Sequence, residues 1–270
     1  MILNKELRKR SIDFILFCWL HWINITYKFF KGLPMDQSFE AIFKDRVKRM
    51  HYQVDGLSSD KSHIQVVIWP TFSGLTDFEK GIADHIASLG FSVTALDLYG
   101  IDQNPVEMEQ KRAKMGALVA EADPLHELQN ELTQSACDAI HGKTIVHIGF
   151  CLGGRLALEA GLHLESSAGA VSFHGLMSFF RAQSEEKANT KAKIMVLNGY
   201  QDPLVMDEDA QEAKHYWAGL GMDFQFVDFS NTMHSFMLPS ADNPDHGSQY
   251  NPLTAQRAYS YLENFLNEFI

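Results

Sequence analysis

Residues Gly149-Phe150-Cys151-Leu152-Gly153-Gly154 constrain this chain more than any other stretch. An apolar run, KTIVHIGF from Lys143 to Phe150, leads into them, and a helical pattern from Gly153 to His163 follows. Glycines at 149 and 153 let a strand and a helix approach closely around a sharp turn. The residue at the tip of such a turn sits on strained backbone, with its side chain projecting above a sheet. Here that residue is a cysteine. It lies at a helix N-terminus, whose positive end favours a thiolate. The Leu152 N–H points the same way and can stabilise an oxyanion. The pattern predicts a nucleophile elbow carrying Cys151; the bland alternative is a small buried cysteine beside a glycine-rich turn.

The rest of the chain supplies the sheet on which an elbow would sit. Short apolar runs at 63–69, 91–98, 143–150, 168–173, 192–197 and 224–229 read as strands. Helical spacing fills 76–89, ended by Gly90, and 105–141, broken at Asp123-Pro124. Further helices are expected at 153–163, 207–220 and 253–269. Strands apolar on both faces and separated by helices imply an α/β fold, with a mostly parallel central sheet and helices on both faces. Residues 46–55 (RVKRMHYQVD) alternate more strictly and are expected to form an antiparallel edge strand.

Ligands of such sheets bind beyond the carboxyl ends of the strands, so site residues should follow strands. Pro70-Thr71-Phe72, Asp97, Cys151, His174 and Asp202 all do. A nucleophile needs a base, and the base needs an orienting acid; on an elbow fold their chain order is nucleophile, acid, histidine. Gly199-Tyr200-Gln201-Asp202-Pro203 offers Asp202 directly after a strand. His234 follows the next strand through a short polar loop. The catalytic set is therefore expected to be Cys151, Asp202 and His234, with the N–H groups of Leu152 and Phe72 as oxyanion donors. Trp69, Thr71 and His174 are candidate pocket residues. The segment 99–125, rich in Met, Lys and Glu, is the candidate lid.

Composition narrows the partners. A net charge of −11 argues against nucleic acid. The histidines show no HExxH or similar spacing, so neither metal nor cofactor is expected. The three cysteines, Cys18, Cys137 and Cys151, form no disulfide ladder or CxxC pair, which suits a reducing cytoplasm. A small-molecule substrate remains as the expected partner.

The charge is uneven. Residues 1–34 hold Lys5, Arg8, Lys9, Arg10, Lys28 and Lys31 against Glu6 and Asp13, a net +4, which leaves −15 for 35–270. This break divides the chain into an N-terminal extension, 1–34, and a main domain, 35–270. The longest uncharged stretch of the extension, Phe14 to Tyr27, has 14 residues. As a helix it spans about 21 Å, short of the roughly 30 Å of a hydrocarbon core. Two readings stand for the extension. It is an amphipathic helix that lies on a membrane surface, at the inner face, or docks on protein; or it is a dispensable segment upstream of Met35.

Together, Gly149–Gly154, GYQDP at 199–203 and HSF at 234–236 resemble the dienelactone hydrolase family. Asp97-Leu98-Tyr99-Gly100, Ser172-Phe173-His174-Gly175 and Tyr250-Asn251 add to the likeness, which covers roughly 45–270. The resemblance implies an α/β-hydrolase acting on an enol-lactone or other ester through a Cys151–Asp202–His234 triad, with Phe72 and Leu152 as oxyanion donors. It also exposes departures. Thr71 stands where the family has a glutamate that controls thiol protonation. Ile101-Asp102-Gln103 and Met237-Leu238 stand where it has arginines for a substrate carboxylate. A neutral or weakly charged small ester or lactone is the expected substrate. The alternative from another class is a redox-sensing or acyl-carrying thiol on a hydrolase scaffold.

Overall fold

The computed structural model describes residues 39–42, 45–138, 144–182 and 187–270. The expectations for 1–34, Cys18 included, lie outside the described residues.

Among the described residues, eight strands form one sheet in the order β1-β2-β4-β3-β5-β6-β7-β8. They are β1 (Phe39–Ile42), β2 (Lys48–Val54), β3 (Ile64–Trp69), β4 (Ser92–Ala95), β5 (Thr144–Phe150), β6 (Ser167–Phe173), β7 (Lys193–Gly199) and β8 (Phe224–Phe229). From β4 to β8 every neighbouring pair is parallel, while β2 runs antiparallel to β4 and β1 antiparallel to β2. The segment 46–55 is thus antiparallel as expected, but it is not the edge. Phe39–Ile42 covers its outer side, and four residues carry too short an alternation to be recognised in advance.

Among the described residues there are six α-helices: α1 (Asp77–Ser88), α2 (Met108–Leu118), α3 (Ala122–Asp138), α4 (Leu152–His163), α5 (Asp207–Gly219) and α6 (Pro252–Asn267). The expected long helix of 105–141 is interrupted at 119–121, ahead of Pro124 rather than at it. Pro124 lies in the first turn of α3, where the missing N–H has no partner to lose.

The two faces of β3 explain the layering. Ile64, Val66 and Ile68 pack with Ile82 and Ile86 of α1 and with Leu262 and Phe265 of α6. Val67 and Trp69 pack with Leu125 and Leu132 of α3 and with Leu152 and Leu156 of α4. A third cluster seats Trp217 of α5 against Leu158 and Leu162 of α4. Each such side chain, fully buried, contributes about 1.5–3 kcal/mol of transfer free energy. The strands are therefore apolar on both faces because both faces are covered. Their carboxyl ends, left uncovered by this packing, carry the site.

No helix of the described residues is long and apolar enough to cross a membrane.

Candidate active site

Cys151 stands between β5 and α4, as the residue before the helix, with φ 55° and ψ −116°, a positive-φ conformation that a side-chain-bearing residue rarely adopts. The turn closes because its glycines leave room. A Cβ on Gly149 would lie 1.9 Å from the Gly153 carbonyl oxygen, and one on Gly153 would lie 2.0 Å from that of Trp69. The turn is held by the Cys151 N–H, which donates to the Phe173 carbonyl at 3.1 Å and to His174 Nδ1 at 3.2 Å. Cys151 itself is 9% exposed, so little of it reaches solvent.

The loops after β7 and β8 bring the acid and the histidine to the same end of the sheet. Gln201 N–H donates to the Thr232 carbonyl at 2.9 Å, which stitches the two loops together. One Asp202 oxygen accepts the Leu204 N–H at 2.9 Å, and the other lies 2.7 Å from His234 Nδ1. The backbone of His234 is fixed by a small hairpin, Asp242–Asn243 with Ser248–Gln249. Its N–H donates to the Gly247 carbonyl at 2.9 Å, and its carbonyl accepts the Gln249 N–H at 3.0 Å.

Burial alone would lower the pKa of His234. Hydrogen bonds to Asp202 and Cys151, and the negative charges of both, outweigh it and push the value up to about 10. The sign follows directly: a raised pKa means that the imidazolium persists at neutral pH, beside Cys151. The imidazole is expected to titrate near pH 10 in the intact protein and at lower pH in Cys151→Ala, where two of the raising influences vanish. Proton NMR of the ring would show it; a titration near 6.5 in the intact protein would contradict the raised value.

The two expected oxyanion donors, the N–H groups of Phe72 and Leu152, follow β3 and β5. In the turn after β3, Thr71 N–H donates to Glu79, Ser73 N–H to Thr71 Oγ1 and Gly74 N–H to the Thr71 carbonyl. No hydrogen bond engages the N–H of Phe72 or of Leu152 among the described residues. The local structure uses the neighbouring donors and leaves these two open, as a site for developing negative charge requires.

The remaining expected site residues divide. His174 is 1% exposed, with its ring 5.1 Å from that of His234 in an edge-on arrangement. Burial first, and the His234 charge second, hold its pKa well below the ordinary value, so it is a neutral support behind the site. Thr71 is 8% exposed and engaged in the turn through its N–H, carbonyl and hydroxyl. Trp69 is fully enclosed and donates its indole N–H to His147 at 3.1 Å. Its side chain belongs to the core between β3 and α4, not to an open pocket wall. An aromatic residue that ends a strand can face either side, and position in the sequence does not decide which.

Two residues outside the expected set matter. Tyr99 donates its hydroxyl to the Phe72 carbonyl at 3.2 Å; burial and then the charge of Cys151 push its pKa up to about 12, keeping it a donor. Asp97 shapes the turn that presents Tyr99, by accepting the N–H groups of Met50 and Gly100. The motif Asp97-Leu98-Tyr99-Gly100 was the available signal. Glu79 is the second such residue, and Thr76-x-x-Glu79 spells a capping box in the sequence.

From the expected lid, Lys111 stands 5.5 Å over the Phe72 ring and Lys114 5.1 Å over that of Tyr99. The segment 99–125 thus overhangs the turn after β3. Two surface depressions, of about 430 and 180 Å³, lie elsewhere; neither is lined by Cys151, Asp202 or His234. Among the described residues, no group of three His, Cys, Asp or Glu side chains is placed to hold a metal ion.

Comparisons with known proteins agree with this architecture. The solved structure of m3DLH superposes with a TM-score of 0.76 at 26% identity, covering 88% of this chain and 100% of that one. A dienelactone hydrolase-like promiscuous phosphotriesterase from metagenomic libraries gives 0.75 at 23% identity, covering 88% and 99%. Esterase 2 of Thermogutta terrifontis, phosphoramylated by tabun, gives 0.55 at 14% identity, covering 86% and 94%; these last two show the shared fold alone. No match is found among curated proteins. The model of the dienelactone hydrolase family matches residues 56–270, the whole parallel sheet and every residue of the site, and the chain belongs to that family of α/β-hydrolases.

Proposed function

We propose that this protein hydrolyses a small ester or lactone through a covalent thioester on Cys151. The observation that carries the reading is the constellation itself: Cys151 on a positive-φ turn beside His234, whose Nδ1 lies 2.7 Å from Asp202. The Cys151 thiolate attacks the acyl carbon, and the N–H groups of Phe72 and Leu152 receive the oxyanion. Collapse breaks the acyl–oxygen bond, and the leaving alkoxide takes the proton of the His234 imidazolium. His234, now neutral, accepts a proton from water as the water attacks the thioester. The second collapse releases the acid and restores the thiolate–imidazolium pair.

The substrate is a neutral or weakly charged ester or lactone. Ile101-Asp102-Gln103 and Met237-Leu238 provide no guanidinium at the two places where the family holds a carboxylate. A redox-sensing or acyl-carrying thiol would need no histidine oriented by a buried aspartate, so the Asp202–His234 bond favours hydrolysis over that reading. A panel of p-nitrophenyl esters, lactones and thioesters, quenched during turnover, tests it. Mass spectrometry is expected to find the acyl group on the peptide containing Cys151, most abundantly with uncharged acyl groups. Turnover with an unmodified Cys151 at every quench time would sink the covalent route.

A further inference from the structure

We infer that Glu79 is a positioning residue for the oxyanion site: its buried carboxyl fixes the turn that aims the Phe72 N–H. The inference rests on the proposed acyl transfer at Cys151 and deepens it. Glu79 lies in the first turn of α1 and is 0% exposed. A carboxyl so enclosed is costly unless its oxygens are hydrogen-bonded. Here they are. One oxygen accepts the Thr71 N–H at 3.1 Å; the other accepts the Thr76 N–H at 2.9 Å and the Thr76 hydroxyl at 2.5 Å. Burial raises the Glu79 pKa, and the bonds from Thr76 and Thr71 pull against that shift.

The bond to Thr71 reaches beyond an ordinary capping box, which ties only the N-cap residue to the third helical position. Thr71 is eight residues upstream of Glu79 and immediately precedes the open donor. Because a peptide group is planar, the Phe72 N–H points opposite to the Thr71 carbonyl. That carbonyl is held by the Gly74 N–H at 3.0 Å. On the far side, the Phe72 carbonyl is held by the Tyr99 hydroxyl at 3.2 Å. Glu79 holds the near side through Thr71 N–H and the closing end of the turn through Thr76. The N–H groups of Thr71, Ser73, Gly74 and Thr76 are thereby tied, while that of Phe72 is left free to meet a ligand. A glutamine cannot replace the carboxylate. Both oxygens accept backbone N–H groups, whereas an amide has one acceptor oxygen and would turn its NH₂ against the other N–H.

The test compares two reactions of the same thiol in the full chain. Ester hydrolysis passes through an oxyanion; alkylation of Cys151 by iodoacetamide does not. Glu79→Gln is expected to lower kcat for a p-nitrophenyl ester by about 10- to 100-fold, with KM and the alkylation rate within about twofold of wild type. If this variant does not fold, Thr76→Val carries the test. It removes the hydroxyl's bond to Glu79, together with the N-cap bond it accepts from the Phe78 N–H, and keeps both backbone bonds to Glu79; it is expected to lower kcat by at least about threefold with alkylation unchanged. Equal loss of both reactions, a change confined to KM, or no loss at all overturns the assignment. Failure of the underlying reading is seen separately, as hydrolysis that survives Cys151→Ala.

Discussion

Cys151→Ala is expected to lower ester hydrolysis by about 10⁴- to 10⁶-fold while leaving the protein folded. The size of the loss follows from the route. Without the thiol no acyl-enzyme forms, and what remains is the binding of ester and the two N–H groups of Phe72 and Leu152, acting on direct attack by water. The fold should tolerate the change. Alanine is no larger than cysteine at a positive-φ position that already carries a Cβ, and the elbow is held by backbone contacts of Gly149, Gly153 and the Cys151 N–H. Cys151→Ser separates two roles. It keeps the shape, but its hydroxyl must surrender a proton to a neutral His234, whereas the native ring sits at about pKa 10 as an imidazolium. Serine is therefore expected to fall between alanine and wild type. Retention of more than about a tenth of wild-type kcat/KM by the alanine variant would remove Cys151 from the mechanism.

The elbow was readable in the sequence because its causes are local. A strand, two glycines and a helix lie within about twenty consecutive residues, and close approach there admits no other side chain. The meeting of Asp202 and His234 is legible in chain order, since each follows a strand that ends on the same side of a parallel sheet. What escaped depends on contacts between segments. Tyr99 matters because it meets Phe72 across 27 positions, and Glu79 because it reaches back to Thr71 as well as to its own N-cap. The Thr76-x-x-Glu79 spacing announces the second half of that bond but not the first. Trp69, the last residue of β3, borders the site in sequence, yet strand pleat turns its ring into the core, where His147 accepts its N–H. β1 escaped for want of length: four residues have pairing partners in the sheet but too few alternations to declare it.

Asp202→Asn is expected to cost about 10³- to 10⁴-fold in kcat with little change in KM or melting temperature. The aspartate is wholly buried at its side chain and divides its oxygens, one to the Leu204 N–H and one to His234 Nδ1. An asparagine that keeps the Leu204 bond must present its NH₂ to Nδ1. That forces Nδ1 to accept, moves the proton of the neutral ring to Nε2, and leaves His234 unable to take a proton from the attacking water. The reverse orientation restores the tautomer but turns the NH₂ against the Leu204 N–H, and the loop carrying residue 202 must then shift. Either way the histidine also loses its most direct source of positive-charge stabilisation. Its pKa is expected to fall from about 10 in the Asp202→Asn protein. Acylation and deacylation should both slow, because each step passes a proton through the same ring. Single-turnover kinetics separate them: a variant in which the thioester still forms at the wild-type rate, and only its hydrolysis slows, would confine Asp202 to the second half of the cycle and refute its role as orienter throughout.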